Sequence, residues 1–88
     1  MTGDTYRILV TPAALKQIDK LDRQVARRIG HFLQHGIDRS NPRSSGKPLV
    51  NRDEWRYRVG DYRILCSIDD RVVTVLVVDV GHRREIYR

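Results

Sequence analysis

The stretch that most constrains this chain is the alternation around Gly60-Asp61. Trp55–Val59 and Tyr62–Ile68 each place apolar or aromatic residues at every second position, and the pattern breaks only at the glycine. Two such runs joined by a Gly-Asp pair specify a β-hairpin with a two-residue turn, and that turn allows one register. Arg58 then faces Arg63, Arg56 faces Leu65, and Tyr57 faces Ile64. Strand side chains alternate between faces, so Trp55, Tyr57, Val59, Ile64, Cys66 and Ile68 share one side while Arg56, Arg58 and Arg63 gather on the other. Like charges directly opposite destabilise a hairpin by about 0.2–1 kcal/mol, a penalty that suggests an anion belongs between them.

The remaining elements follow from local signals. Tyr6–Val10 alternates and is β-rich, which predicts a first strand that Thr11 and Pro12 terminate. Threonine caps a helix start and proline at the first helical position sacrifices no needed donor, so a helix begins there with Leu15, Ile18 and Leu21 inward and Lys16 and Lys20 outward. Asp22 caps a second helix, whose stripe of Val25, Ile29, Phe32 and Leu33 ends near His35 and Gly36. With so little chain between them the helices form an antiparallel hairpin. Asp38–Pro48 is a solvated connection. A second tight turn at Asp69-Asp70 leads into a last strand, Val72–Val80, after which Gly81 lets the chain bend. That strand is apolar on both faces (Val73, Val75 and Val77 against Val72, Leu76 and Val78), which suits an interior position beside the N-terminal strand. The expectation is an α+β fold: one domain spanning residues 1–88, a three-strand antiparallel meander plus the first strand in the order 2-3-4-1, and the helix pair on one face.

Composition narrows the function. The chain carries 17 lysines and arginines against 11 acids, a formal charge of +6, and only Lys16, Lys20 and Lys47 of the basic residues are lysine. Guanidinium forks bind oxyanions bidentately and stay charged near neutrality, so a polyanion is the first partner to consider beside a merely soluble surface. A 40 % hydrophobic and 32 % charged composition excludes disorder and collagen-like repeats. No apolar run spans a bilayer, the N-terminus has no signal-peptide pattern, and the single Cys66 has no disulfide partner, all of which point to the cytoplasm. Beyond the last strand come His82, Arg83, Arg84 and Tyr87. If this segment folds back, the arginine face gains an imidazole and a phenol: cations for a pentacovalent phosphorus, groups to move protons, and a ring for a base.

Several of these features together resemble one family. The helix hairpin, Gly46-Lys47-Pro48-Leu49 leading into the meander, Arg56-x-Arg58, Gly60-Asp61-Tyr62-Arg63 and the ending Val80-Gly81-His82-Arg83-Arg84-Glu85-Ile86-Tyr87 are similar in order and spacing to the RelE/ParE toxins of bacterial toxin-antitoxin pairs. The resemblance, to the RelE branch, implies a ribosome-dependent messenger endoribonuclease that cuts in the A site by 2′-hydroxyl attack on the adjacent phosphate, without cofactor or metal. It implies catalytic roles for Arg56, Arg58, Arg63, Arg83 and Tyr87; beside them, the basic side chains of Lys47 and Arg84 are expected to contact RNA. The best-known branch has lysines where Arg56 and Arg58 stand here, and arginine does not lose its proton, so the general base is either His82 or Tyr87 aided by the ribosome. The resemblance further implies a small acidic RelB-like antitoxin, DNA contact only through that complex, and no membrane. The chain stops at Arg88, so the C-terminal helix of some relatives is expected to be absent. A ParE-type gyrase poison without nuclease chemistry and a non-catalytic nucleic-acid-binding co-repressor module remain as alternatives.

Other residues read more plainly. His31 and His35, one helical turn apart, lack a third metal ligand at suitable spacing. Arg23, Arg27 and Arg28 form a solvated helix face open to RNA or antitoxin. Lys47 is not followed by the Ser or Thr of a phosphate loop, Cys66 is a small core residue, and Trp55 belongs to the core.

Overall fold

A computed structural model describes residues 5–50 and 53–86. Strand β1 (Arg7–Val10) is followed by helices α1 (Pro12–Asp19) and α2 (Arg23–His31), a short strand β2 (Lys47–Pro48), then β3 (Trp55–Val59), β4 (Tyr62–Asp69), β5 (Thr74–His82) and a single turn of helix, α3 (Arg83–Ile86). The five strands form one sheet in the order β1-β5-β4-β3-β2, with β1 parallel to β5 and the other pairs antiparallel. The expected α+β arrangement of helix pair, first strand and meander is thus present. No helix among the described residues is long and apolar enough to cross a membrane.

Local chemistry sets the helix starts. The Thr11 hydroxyl accepts from the Ala14 amide at 3.1 Å, and the Asp22 carboxylate accepts from the Gln24 amide at 3.0 Å, each satisfying an otherwise orphaned donor. The helices bury Ala14, Ile29 and Leu33 against Tyr57, Ile64, Cys66, Val75, Val77 and Val80 of the sheet. Tyr57 is buried whole, yet its hydroxyl donates to the Pro42 carbonyl at 2.5 Å, so no polar atom is stranded there. Burial pushes the Tyr57 phenol well up from its ordinary value and the Cys66 thiol up to about 12.

The structure corrects the sequence reading at several points. α2 does not simply end near His35: residues Phe32–Gly36 form a wide π-type turn. A Cβ on Gly36 would lie 2.4 Å from the Phe32 ring, so the ring lies against a place only glycine leaves open. Lys47–Pro48, read as loop, pairs with β3. The last hairpin has no two-residue turn at Asp69-Asp70. Asp69 pairs with Thr74, the intervening residues loop out, and Val73 closes the loop at φ 49°. β5 therefore starts at Thr74 and runs through Gly81 and His82, so the chain bends at Arg83 rather than at the glycine. A bulge opposite Leu65/Cys66 adds Val78 to β5, which puts Val80 on the same side as Val75 and Val77 and sets Gly81 across from Arg63. Past Val10, where β1 stops, Gln17 of α1 takes over: its amide donates to Asp79 at 2.6 Å and accepts from the Val80 amide at 2.9 Å.

Candidate functional site

The observed hairpin register is the one the sequence dictates. Arg58 faces Arg63, Arg56 faces Leu65, and the row continues from Arg63 to Gly81 on β5. Gly81 is buried and adds no side chain to this row of two guanidiniums, which lies on the sheet face away from the helix pair. Arg63 is only 8 % exposed. Its guanidinium reaches the carbonyls of Gly60 and Tyr62, both at 3.3 Å, and among the described residues no carboxylate pairs with it. A buried cation normally has a charged partner, because a desolvated charge with weak hydrogen bonds is costly. Several acids that might have served are engaged elsewhere. Asp70 accepts from Arg43 at 2.9 Å and from Tyr6 at 2.6 Å, Asp79 is held by Gln17, and Asp69 takes the Arg71 amide at 2.9 Å. The Arg43 and Tyr6 bonds hold the Asp70 carboxyl below its usual value, and Arg71 does the same for Asp69.

Lys47, on β2, pairs directly with Arg56. The approach to Lys47 is fixed by Gly46 at φ 77°, where a Cβ would fall 2.4 Å from the Arg56 carbonyl oxygen, and by the Trp55 indole, which donates to the Ser45 carbonyl at 2.8 Å. Trp55 is half-buried and packs against the core, as expected, while its nitrogen ties down this loop. β2 begins only at Lys47, so beyond Arg56 the outer edge of β3 has no neighbouring strand among the described residues, and a cleft of about 270 Å³ opens there. Arg56, Arg58 and Arg63 line it from one face; Phe32, whose ring lies 5.5 Å from that of Tyr57, lines it from the helix side.

The C-terminal residues meet this surface at the hairpin tip. The Arg83 amide donates to the Asp61 carbonyl at 2.9 Å, which anchors exposed Arg83 and Arg84 beside the β3–β4 turn. His82 pairs with Tyr62 and meets it edge-on, ring centroids 5.4 Å apart, on the face opposite the Arg58–Arg63 row. Its Nδ1 accepts from the Arg84 amide at 3.2 Å, which leaves the ring proton on Nε2. His82 is therefore not gathered with the arginines, and Tyr87 lies outside the described residues.

Two residues outside the expected site stand at this surface. Phe32 belongs by its spacing to the core stripe. Arg28 belongs to the solvated helix face open to RNA or antitoxin, and its guanidinium lies 3.4 Å from where a Gly60 side chain would begin. The available signal was their spacing: residues four apart share one helical face, so an arginine one turn before Phe32 points the same way. The stacked pair His31–His35, centroids 4.9 Å apart, has no third ligand, and no group of metal-binding side chains occurs among the described residues.

Comparison with known proteins agrees with this geometry. Residues 8–87 match the family described as the ParE toxin of type II toxin-antitoxin systems, parDE. Toxin RelG of Mycobacterium tuberculosis is 33% identical over 85 residues, covering 94% of this chain and 97% of that protein. Toxin RelE of the same organism is 32% identical over 85 residues, covering 94% of this chain and 87% of its own length. Among solved structures, the toxin-antitoxin complex RelBE2 of M. tuberculosis superposes with a TM-score of 0.81 at 30% identity, covering 92% of this chain and 94% of its own. The isolated E. coli RelE toxin superposes at 0.71 with 25% identity, covering 88% and 83%. The sheet with its helix pair, the arginine row and the near full-length matches lead to one conclusion: the chain belongs to the RelE/ParE family of type II toxin-antitoxin toxins.

Proposed function

We propose that this toxin is a ribosome-dependent messenger endoribonuclease of the RelE kind, acting in the cytoplasm and silenced by a cognate antitoxin. The observation that carries the reading is Arg63, a guanidinium nine-tenths buried, facing Arg58, with no carboxylate partner among the described residues. A phosphodiester supplies the charge that such a pair lacks. As the ribose 2′-hydroxyl attacks phosphorus, the 2′-O–P bond forms, the P–O5′ bond breaks, and the extra negative charge on the equatorial oxygens falls to Arg58, Arg63, Arg56 and Arg83. The proton that leaves the 2′-hydroxyl ends on the 5′ oxygen. Arginine does not exchange protons near neutrality and His82 has its Nδ1 engaged on the other face, so Tyr87 is the group we assign to carry it, with the ribosome orienting the messenger. Lys47 and Arg84 contact backbone phosphates.

The partner follows from charge and kinship. A net charge of +6 calls for an acidic neutralising chain, and the relatives of M. tuberculosis and E. coli have been solved as RelB–RelE complexes. The ParE description of the matching family favours a second reading, a gyrase poison without nuclease chemistry. Ribosomes programmed with a defined message, incubated with the toxin and mapped by primer extension, decide between them. Cuts within A-site codons, absent with Arg63→Ala and reduced with Tyr87→Phe, support the nuclease; an intact message together with inhibited supercoiling by gyrase supports the poison.

A further inference from the structure

The connection that follows the π-type turn carries Lys47 to its place opposite Arg56, and its regular structure is one short helical turn, Pro42–Ser44. Local bonds shape it. The Asp38 carboxylate accepts from the Ser40 amide at 2.9 Å and from the Ser40 hydroxyl at 2.6 Å, and the Ser44 amide donates to the Asn41 carbonyl at 3.0 Å. Such bonds fold the segment without fixing where it sits, and anchors to the rest of the molecule do that. The Tyr6 amide donates to the Arg39 carbonyl at 2.8 Å, while Tyr57 and Trp55 donate to the carbonyls of Pro42 and Ser45. A further anchor is made by a side chain of the connection itself. Arg43 donates to Oδ1 of Asp70 at 2.9 Å, and the same oxygen accepts from the Tyr6 hydroxyl at 2.6 Å. One carboxylate, just past the end of β4, thus joins three segments far apart in sequence.

Exposure sets this junction apart from the others. Tyr57 is enclosed and its bond belongs to the core, whereas the side chains of Arg43 and Asp70 are 42 % and 59 % exposed. Exposed ion pairs add little to global stability, because water screens them and two side chains must be held still. The charge of Asp70 does not help to gather phosphate either, since a carboxylate repels it. We infer that Asp70 is a positioning residue for Lys47: through Arg43 and Tyr6 it fixes the connection so that Lys47 stays in register with Arg56, where its ammonium meets an RNA phosphate. The inference rests on the nuclease reading for the identity of that anion, and on the Arg43–Asp70–Tyr6 junction for the rest.

Charge and positioning predict opposite signs. Were Asp70 only a negative charge near the messenger path, removing it would tighten binding; as a positioning residue its removal weakens binding. Messenger cleavage on programmed ribosomes separates the two. Asp70→Ala should raise KM roughly threefold or more with kcat and the melting curve unchanged, as expected for a weakened phosphate contact. Asp69→Asn, which removes the neighbouring charge from a carboxylate bonded to Arg71, should not raise KM. In a Lys47→Ala background Asp70→Ala should lose its effect, because a residue acting through Lys47 then has nothing left to position. Trp55, the one tryptophan, reports the connection directly through its bond to the Ser45 carbonyl. Acrylamide should quench its emission more strongly in Asp70→Ala than in the unaltered chain or in Lys47→Ala. A lower KM in Asp70→Ala, an equal rise in the Lys47→Ala background, or unaltered quenching overturns the inference. An unaltered chain that leaves the messenger intact sinks the nuclease reading instead, and the quenching comparison then decides by itself whether Asp70 fixes the connection.

Discussion

The two faces of the β3–β4 hairpin are built from alternate residues of the same two strands, and they treat burial in opposite ways. On the covered side Tyr57, Ile64 and Cys66 are 1 % exposed or less, and the one hydroxyl among them has found a carbonyl. On the other side Arg63 is nearly as enclosed, yet among the described residues it has two long bonds to carbonyls and a like charge across the strand. Hydrogen bonds are satisfied on both faces; what differs is charge, because the enclosed guanidinium of Arg63 has no carboxylate partner among the described residues while its neighbour Arg58 stays exposed.

The sharpest way to break the comparison is to truncate each face in turn. Ile64→Ala should cost about 2–5 kcal/mol of stability in urea unfolding, from lost transfer energy and the cavity left behind, with cleavage by the remaining folded protein unchanged. Arg63→Ala should do the reverse: cleavage falls by about 10²–10³, the usual loss for a charge-stabilising donor, while stability moves by no more than about 1 kcal/mol because an uncompensated charge leaves the interior. A large stability loss in Arg63→Ala would show that this arginine is structural.

Alkali separates the faces without mutation. The Cys66 thiol is raised by burial from 9.0 to about 12, so between those values the unfolded chain releases a proton that the folded chain keeps. Stability is whole below pH 9 and falls as pH rises toward 12, and the buried Tyr57 phenol, also raised, acts in the same direction. Urea midpoints measured across that window should decline, less so in Cys66→Ala. Next in size, Tyr57→Phe strands the Pro42 carbonyl and should cost about 1–2 kcal/mol. The smallest effect is a gain. Val73 holds a β-branched side chain at φ 49°, and Val73→Gly should raise stability by up to about 1 kcal/mol, seen as a melting temperature a few degrees higher.

How much of this could be read beforehand depended on the range of the interaction concerned. The hairpin register was legible because a two-residue turn fixes it locally, and the helix starts were legible because Thr11 and Asp22 act within three residues of themselves. The bulge that brings Gly81 opposite Arg63 was not, since it depends on how Gln17 and Asp79 meet across the fold. β2 was invisible for a related reason: two residues that pair only because Gly46 and Trp55 bring the loop in carry no strand pattern of their own. In the site, the arginine row followed from alternation, whereas the position of His82 away from that row followed from β5 running two residues farther than its apolar pattern suggests.

The glutamine that stands in for the missing end of β1 has a mechanical consequence. By pairing with β5 itself, Gln17 lets the chain leave the sheet early and seats α1 through an amide that carries no charge. Ionic strength has little grip on that joint. Salt that loosens whatever is held by guanidiniums on the far face therefore leaves the helix pair seated, so the framework keeps its shape while its cargo comes and goes.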